Sequence, residues 1–146
     1  MANNFCSNGN TPKGLSLFED IIESMDRYYT DEHEKMRMYT MVLYNYSTFL
    51  GRNGRYRESI EAANKGEELD IKHGKLSQLP NFYINRACCM LETGDKENSL
   101  PYFALAYYGF SVLSRLKEKE IVRNYAIKHC DIDFTHPHHP PAQPPR

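Results

Sequence analysis

The stretch NYSTFLGRNGRYRESIEAANKG, from Asn45 to Gly66, decides the fold because a similar stretch follows it forty residues later. The second stretch, NRACCMLETGDKENSLPYFALA, runs from Asn85 to Ala106. A constant shift pairs Asn45 with Asn85, Ser47 with Ala87, Leu50 with Met90, Gly54 with Gly94, Ser59 with Ser99 and Ile60 with Leu100. A fixed period of this size is typical of repeat proteins, which favours a binding role over catalysis.

Each copy is expected to form a pair of helices around a glycine turn. Gly54 and Gly94 can adopt the left-handed conformation that ends a helix. Small residues at Ser47 and Ala87 would let a neighbouring helix approach closely. A single helix pair cannot bury its own apolar face, whereas pairs stacked side by side can. The repeat therefore predicts a stack of paired helices.

Apolar residues at spacings of three and four extend this pattern over most of the chain. Ser16 with Glu19, and Asp31 with Glu34, are candidate capping boxes at two helix starts. No alternating apolar run typical of a strand is present. We therefore expect an all-α fold of about six antiparallel helices, over about 16–29, 32–52, 56–74, 77–92, 96–115 and 117–130.

Composition divides the chain into three parts. Residues 1–14 are polar and are expected to form a disordered arm. Residues 15–134 form the helical-repeat domain, with repeats at about 40–74 and 80–115. Residues 135–146 are rich in Pro and His and are expected to be a disordered tail.

Charge and cysteine content exclude several classes of protein. The formal net charge of -1 gives no global basic surface for nucleic acid. No apolar run has the length of a membrane span, and the N-terminus lacks the apolar centre of a signal peptide. The four cysteines form no CxxC pair, so we expect buried, reduced thiols. These features predict a cytoplasmic protein that binds no membrane, no metal and no organic cofactor.

The first copy resembles the tetratricopeptide repeat. Ser47, Leu50, Gly54, Tyr56 and Ser59 follow that motif's order of small, Leu, Gly, aromatic and small residues. The second copy departs from it, since a lysine stands forty residues after Tyr56 and the linker exceeds the usual period of 34 residues. The resemblance implies a right-handed superhelix of antiparallel helices.

A narrower resemblance concerns bacterial regulators. The lengthened repeat, the phrase GRYRESI (54–60) and the charged segment RLKEKEIVRNYAIKH (115–129) resemble the sensor domains of RRNPP-type and related helix-turn-helix transcription regulators. The resemblance covers about residues 15–134. It implies a peptide- or protein-binding and dimerisation module, with the DNA-binding part of the regulator outside this chain. The alternative is a free-standing tetratricopeptide scaffold for protein–protein interaction.

In such superhelices the first helix of each pair lines the concave face. Asn45 and Asn85 both precede a turn glycine by nine residues, and an amide can bond the C=O and the N–H of a peptide backbone. Members of the resembled family use Asn in this way, and Asn124 is a possible third residue of the series. The other candidates are Tyr44, Thr48, Arg52, Asn81 and Cys88, with Met41, Ile84 and Glu92 beside them. Alternatively, both Asn side chains cap or connect neighbouring helices.

The C-terminal helices are rich in aromatic residues, and the chain shows no catalytic motif. The cluster Tyr102, Phe103, Tyr107, Tyr108 and Phe110 exceeds what one amphipathic helix would need. We therefore expect a homodimer formed through residues of about 97–130. No nucleophile motif, glycine-rich phosphate loop or HExxH pattern is present, so we expect no enzymatic activity.

Overall fold

The computed structural model describes residues 11–136, which contain six α-helices, one short 3₁₀ segment (Leu76–Gln78) and no strand. The helices are α1 (Thr11–Tyr28), α2 (Glu32–Arg52), α3 (Tyr56–Lys72), α4 (Leu79–Glu92), α5 (Lys96–Val112) and α6 (Leu116–Cys130). Consecutive helices pack against one another along the chain. The prediction of an all-α fold of about six helices is confirmed.

Four helix ends share one turn geometry at intervals of twenty residues. Gly54, Gly74, Gly94 and Ser114 have φ angles of 74°, 67°, 83° and 56°. The N–H of the next residue donates to the carbonyl five positions earlier, at distances of 3.0, 2.9, 2.9 and 2.9 Å. This is the Schellman motif, which satisfies carbonyl groups left free at a helix end. Gly54 and Gly94 therefore end helices as predicted, and α5 ends at Val112 rather than at residue 115 because Ser114 also turns the chain.

The start of the first helix was predicted too late. Helix α1 begins at Thr11, so residues 11–14 of the expected arm are helical. Ser16 lies inside α1, and the capping box proposed there is wrong. Pro12 occupies the first turn, where a missing N–H costs little and the fixed φ suits a helix. At α2 the cap is as expected, since Asp31 accepts a hydrogen bond of 2.8 Å from the Glu34 N–H. Residues 1–10 of the arm and 137–146 of the tail lie outside the described residues.

Small residues bring α2, α3 and α4 close together. Ser59 Oγ donates to the Ser47 carbonyl over 2.6 Å, and Cys89 Sγ lies 3.2 Å from Ser59 Oγ. A Cβ atom on Gly66 would lie 2.2 Å from the ring of Phe82, so only glycine fits there. The close approach expected at the small positions of the repeat is confirmed.

The C-terminal half has its own apolar core. It contains Ala87, Phe103, Ala106, Tyr107, Phe110, Val122 and Cys130. The segment after α6 returns to this core, where Ile132 and Phe134 pack against it. Arg123 holds the segment in place with two hydrogen bonds of 2.9 Å to the Asp133 carboxylate. Helix α6 and this segment therefore cover the end of the helical stack.

One buried carboxyl group in α3 opposes folding. Asp70 is 1% exposed, and neither carboxylate oxygen has a hydrogen-bond partner of regular geometry among the described residues. Burial raises the pKa of Asp70 from 3.8 to about 6, against the opposing effects of the Thr40 hydroxyl and the Lys75 ammonium. Asp70 ionises at a lower pH in the unfolded chain than in the folded chain. The free energy of unfolding therefore falls as the pH rises from about 4 to about 6. Above that range Asp70 causes no further loss of stability.

Replacement of Asp70 by Asn should remove this pH dependence. A shift from 3.8 to about 6 corresponds to at most about 3 kcal/mol. Relative to the unchanged chain, Asp70→Asn should gain stability between about pH 4 and pH 7.5, by about 2–3 kcal/mol. Urea denaturation at the two pH values measures the difference. Glu68→Gln, an exposed carboxylate of the same helix, is the control; an equal pH effect in both variants would show that Asp70 is not the cause.

Candidate functional site

A groove of about 570 Å³ lies between the first helices of successive pairs, α2, α4 and α6, with α3 at its edge. We call it the inner groove. Four of the predicted site residues line it: Thr48, Arg52, Asn85 and Cys88. Ile84 and Glu92, expected beside them, line it as well. The structure therefore brings together about half of the predicted set.

The other four predicted residues lie elsewhere. Asn45 is half-buried, does not line the groove and makes no hydrogen bond to a described residue. Tyr44 packs edge-on against Phe82, with ring centroids 6.3 Å apart. Asn81 is buried and donates to Gln78 Oε1 over 2.7 Å, which steadies the start of α4. Asn124 is exposed on α6 and is not part of the groove.

The position of Asn124 follows from the repeat length. The residue forty positions after Asn85 is Tyr125, so Asn124 points about 100° away around the helix. Tyr125 lines the inner groove, and its hydroxyl and the Cys88 thiol each shift the pKa of the other. Asn85 and Thr48, which are hydrogen-bonded, are separated by the same 37 residues as Tyr125 and Cys88. Tyr125 therefore holds the third equivalent position, and a strict forty-residue offset in the sequence would have identified it.

The amide of Asn85 has a defined orientation. The hydroxyls of Ser47 and Thr48 both donate to the Tyr44 carbonyl, over 3.0 and 2.9 Å. Each hydroxyl can therefore only accept from Asn85, and Asn85 Nδ2 lies 2.8 Å from both oxygens. Both amide hydrogens are used in this way. The carbonyl oxygen of Asn85 makes no hydrogen bond to a described residue and remains available as an acceptor.

This network is relevant to both interpretations of Asn85, as a contact between helices and as a ligand-binding residue. Asn85 does connect neighbouring helices, α4 to α2, as the structural alternative required. It also lines the inner groove, where it can accept a hydrogen bond but cannot donate one without breaking the network. A ligand backbone would therefore meet this side chain through an N–H group.

The thiols of the groove are poor nucleophiles. Burial raises the pKa of the Cys88 thiol to about 12, despite the opposing effect of the Tyr125 hydroxyl. Burial also raises the pKa of the Cys89 thiol. Both sulfurs are therefore protonated at neutral pH, and the thiolate is the reactive form. Among residues 11–136, no group of three or more His, Cys, Asp or Glu side chains is placed to hold a metal ion.

Comparisons with known proteins relate the chain to a family of regulators. Residues 1–129 match the family described as the RNPP family C-terminal domain. PlcR of Bacillus thuringiensis, in complex with the peptide PapR7 and DNA, is similar with a TM-score of 0.75 and 27% identity, over 84% of this chain and 43% of that chain. Apo PlcR gives a TM-score of 0.71 and 27% identity, over 84% and 44%. The chain thus spans less than half the length of these PlcR chains. No curated protein matches it.

None of the helices in the described part of the chain is long and apolar enough to cross a membrane.

Replacement of Asn85 by Ala should destabilise the fold, whereas replacement of Asn45 should not. Asn85→Ala removes two hydrogen bonds and leaves the buried Ser47 hydroxyl without its donor, which costs about 1–2 kcal/mol. Asn45→Ala removes no hydrogen bond to a described residue and should change stability by less than about 0.5 kcal/mol. Urea denaturation of both variants makes the comparison. Equal losses would contradict the assigned network.

Proposed function

The chain belongs to the RNPP family of C-terminal domains, and from this premise we propose that it is the peptide-binding sensor domain of a bacterial transcription regulator. The inner groove between α2, α4 and α6 is its binding site. The observation that carries the proposal is the oriented, unpaired carbonyl oxygen of Asn85 in that groove. The similarity to PlcR, whose structure was solved with the peptide PapR7 and DNA, supports the same function.

The shape and chemistry of the groove suit an extended peptide. An extended chain advances about 3.3 Å per residue and leaves its N–H and C=O groups unpaired. Asn85 can accept from one such N–H group, and Ile84, Ile121 and Tyr125 offer apolar surface to the peptide side chains. Small-ligand and peptide sites commonly combine an apolar lining with a few fixed polar groups. The proposed ligand is therefore held through both its backbone and its apolar side chains.

We assign binding without catalysis to this domain. The thiols that line the groove are protonated at neutral pH, and no metal cluster occurs in the part of the chain that the structure describes. DNA contact is assigned to a part of the regulator outside this chain, because a formal net charge of -1 provides no general basic surface. A regulator of this kind acts in the cytoplasm, where bacterial DNA is found.

The peptide site can be tested with two isoleucines of α6. Ile121 lines the inner groove, whereas Ile127 is partly exposed and lies outside it. Peptides selected from a random display library on the immobilised domain serve as probes. Ile121→Ser removes apolar contact and should weaken binding about tenfold, whereas Ile127→Ser should change it less than about twofold. Fluorescence anisotropy of labelled peptides measures both, after circular dichroism confirms the folded state.

Equal effects of the two isoleucine variants would place the peptide outside the inner groove. Failure to select any peptide from the library would overturn the proposed function itself.

We also propose that the domain forms a homodimer through α5 and α6. Leu105, Tyr108 and Val112 recur at spacings of three and four on one side of α5, with exposures of 47%, 57% and 84%. Leu116, at the start of α6, is 63% exposed. Exposed apolar groups that form a stripe, rather than scattered positions, are typical of protein interfaces. A second copy of the chain would cover this stripe.

Charges introduced into the stripe should dissociate the dimer. Leu105→Asp combined with Val112→Asp would place two carboxylates in the proposed interface, where desolvation and mutual repulsion oppose association. Light scattering coupled to size exclusion should show a dimer for the unchanged chain and a monomer for the double variant. Ile71→Asp is the matched control, because Ile71 is 57% exposed but lies on α3. A monomeric unchanged chain at high concentration would refute the interface.

A further inference from the structure

Two opposite charges occupy equivalent positions of the repeat in the inner groove. Arg52 stands in the last turn of α2, and Glu92, forty residues later, ends α4. Both side chains are exposed, and both line the groove. Neither forms an ion pair with another described residue. The repeat therefore places a cation and an anion at equivalent positions of two inner helices that line the same groove.

Helix stability accounts for the arginine but not for the glutamate. The C-terminus of a helix carries a partial negative charge, which favours a cation in the last turn and disfavours an anion. Arg52 satisfies this rule at the end of α2. Glu92 violates it, and the last turn of α4 contains no basic residue to offset the carboxylate. A cation supplied from outside the helix would remove this local conflict.

The Glu92 carboxylate acts on other groups that line the groove. Burial is the main cause of the raised pKa values of Cys88 and Tyr125, and the Glu92 carboxylate adds to the rise in both. The Glu92 carboxylate therefore contributes a negative electrostatic potential at Cys88 on α4 and at Tyr125 on α6. Ile84 and Ile121 supply apolar surface in the same groove.

Building on the proposed peptide-binding function, we propose that the inner groove selects peptides by charge order: a carboxylate over Arg52 and a cationic side chain over Glu92, with apolar residues between them. Packed helices lie about 8–10 Å apart, and an extended peptide covers that distance in roughly three residues. The carboxylate can come from an Asp or Glu side chain or from the peptide C-terminus. The reversed order would set like charges against each other on both helices.

The probe for this inference is an array of synthetic peptides in a Leu/Ala background. The peptides carry Asp and Lys at every separation and in both orders, with Asn/Gln analogues as neutral references. Each sequence is made with a free and with an amidated C-terminus, which distinguishes the two sources of the carboxylate. The unchanged domain should prefer one order, with the acid and base about three residues apart, by about tenfold over the reversed order.

The decisive variant is the double reversal Arg52→Glu with Glu92→Arg. It keeps the net charge and should prefer the opposite charge order. The matched control, Arg27→Glu with Glu68→Arg, reverses two exposed charges outside the groove and should keep the original preference. Thermal melting confirms that both variants fold.

Three results would overturn the inference. Binding without any dependence on charge order would remove it and leave the peptide-binding proposal intact. Binding to none of the peptides, together with no hits from the display library, would remove both. If each single reversal destabilised the fold and the double reversal restored it without changing peptide preference, Arg52 and Glu92 would pair with each other rather than with a ligand.

Discussion

Four residues with a left-handed backbone conformation, spaced twenty positions apart, determine where every helix from α2 to α5 ends. Because Gly54, Gly74, Gly94 and Ser114 turn the chain in the same way, residues forty positions apart occupy equivalent places on parallel helices. The hydrogen bond from Asn85 to Thr48 joins residues 37 positions apart, and Tyr125 and Cys88, which line the same groove and affect each other's pKa, have the same separation. The groove is a consequence of this spacing, because it lies between helices that are related by the repeat.

Close packing behind the groove makes its polar contacts possible. Ser47 and Ser59 are buried, and the Ser59 hydroxyl of α3 donates a hydrogen bond to the Ser47 carbonyl of α2. The Phe82 ring lies against Gly66. Side chains larger than these would separate α2 from α4. The amide of Asn85 reaches two hydroxyls on α2 only because that separation is small. The small residues of the repeat thus act through distance: they allow a short polar side chain to bridge two helices.

The sequence predicted the repeat more reliably than it predicted the site. Helix ends at Gly54 and Gly94 were identified because glycine marks a left-handed turn, whereas Ser114 was missed because serine rarely adopts that conformation. Asn45 and Asn85 precede their turn glycines by the same nine residues, yet only Asn85 lines the groove. The groove begins at α2, the helix that carries Asn45. Burial of the unpaired Asp70 was also missed, because a single polar residue among the charged positions of α3 carries no sign of its burial.

The backbone repeats every forty residues, but the side chains at equivalent positions of the groove differ. Such a surface is suited to a ligand whose two ends differ. Successive inner helices offer the same position with different chemistry: Asn85 is followed by Tyr125, and Arg52 is followed by Glu92. In the proposed complex, the backbone would set where a peptide lies, and these differences would set which peptide binds. Asn85 would add little entropic cost to the proposed binding, because two hydroxyls already hold its amide in one orientation. The same hydrogen bonds that connect α2 to α4 therefore preorganise the acceptor, which would link the stability of the helical stack to the affinity of the proposed site.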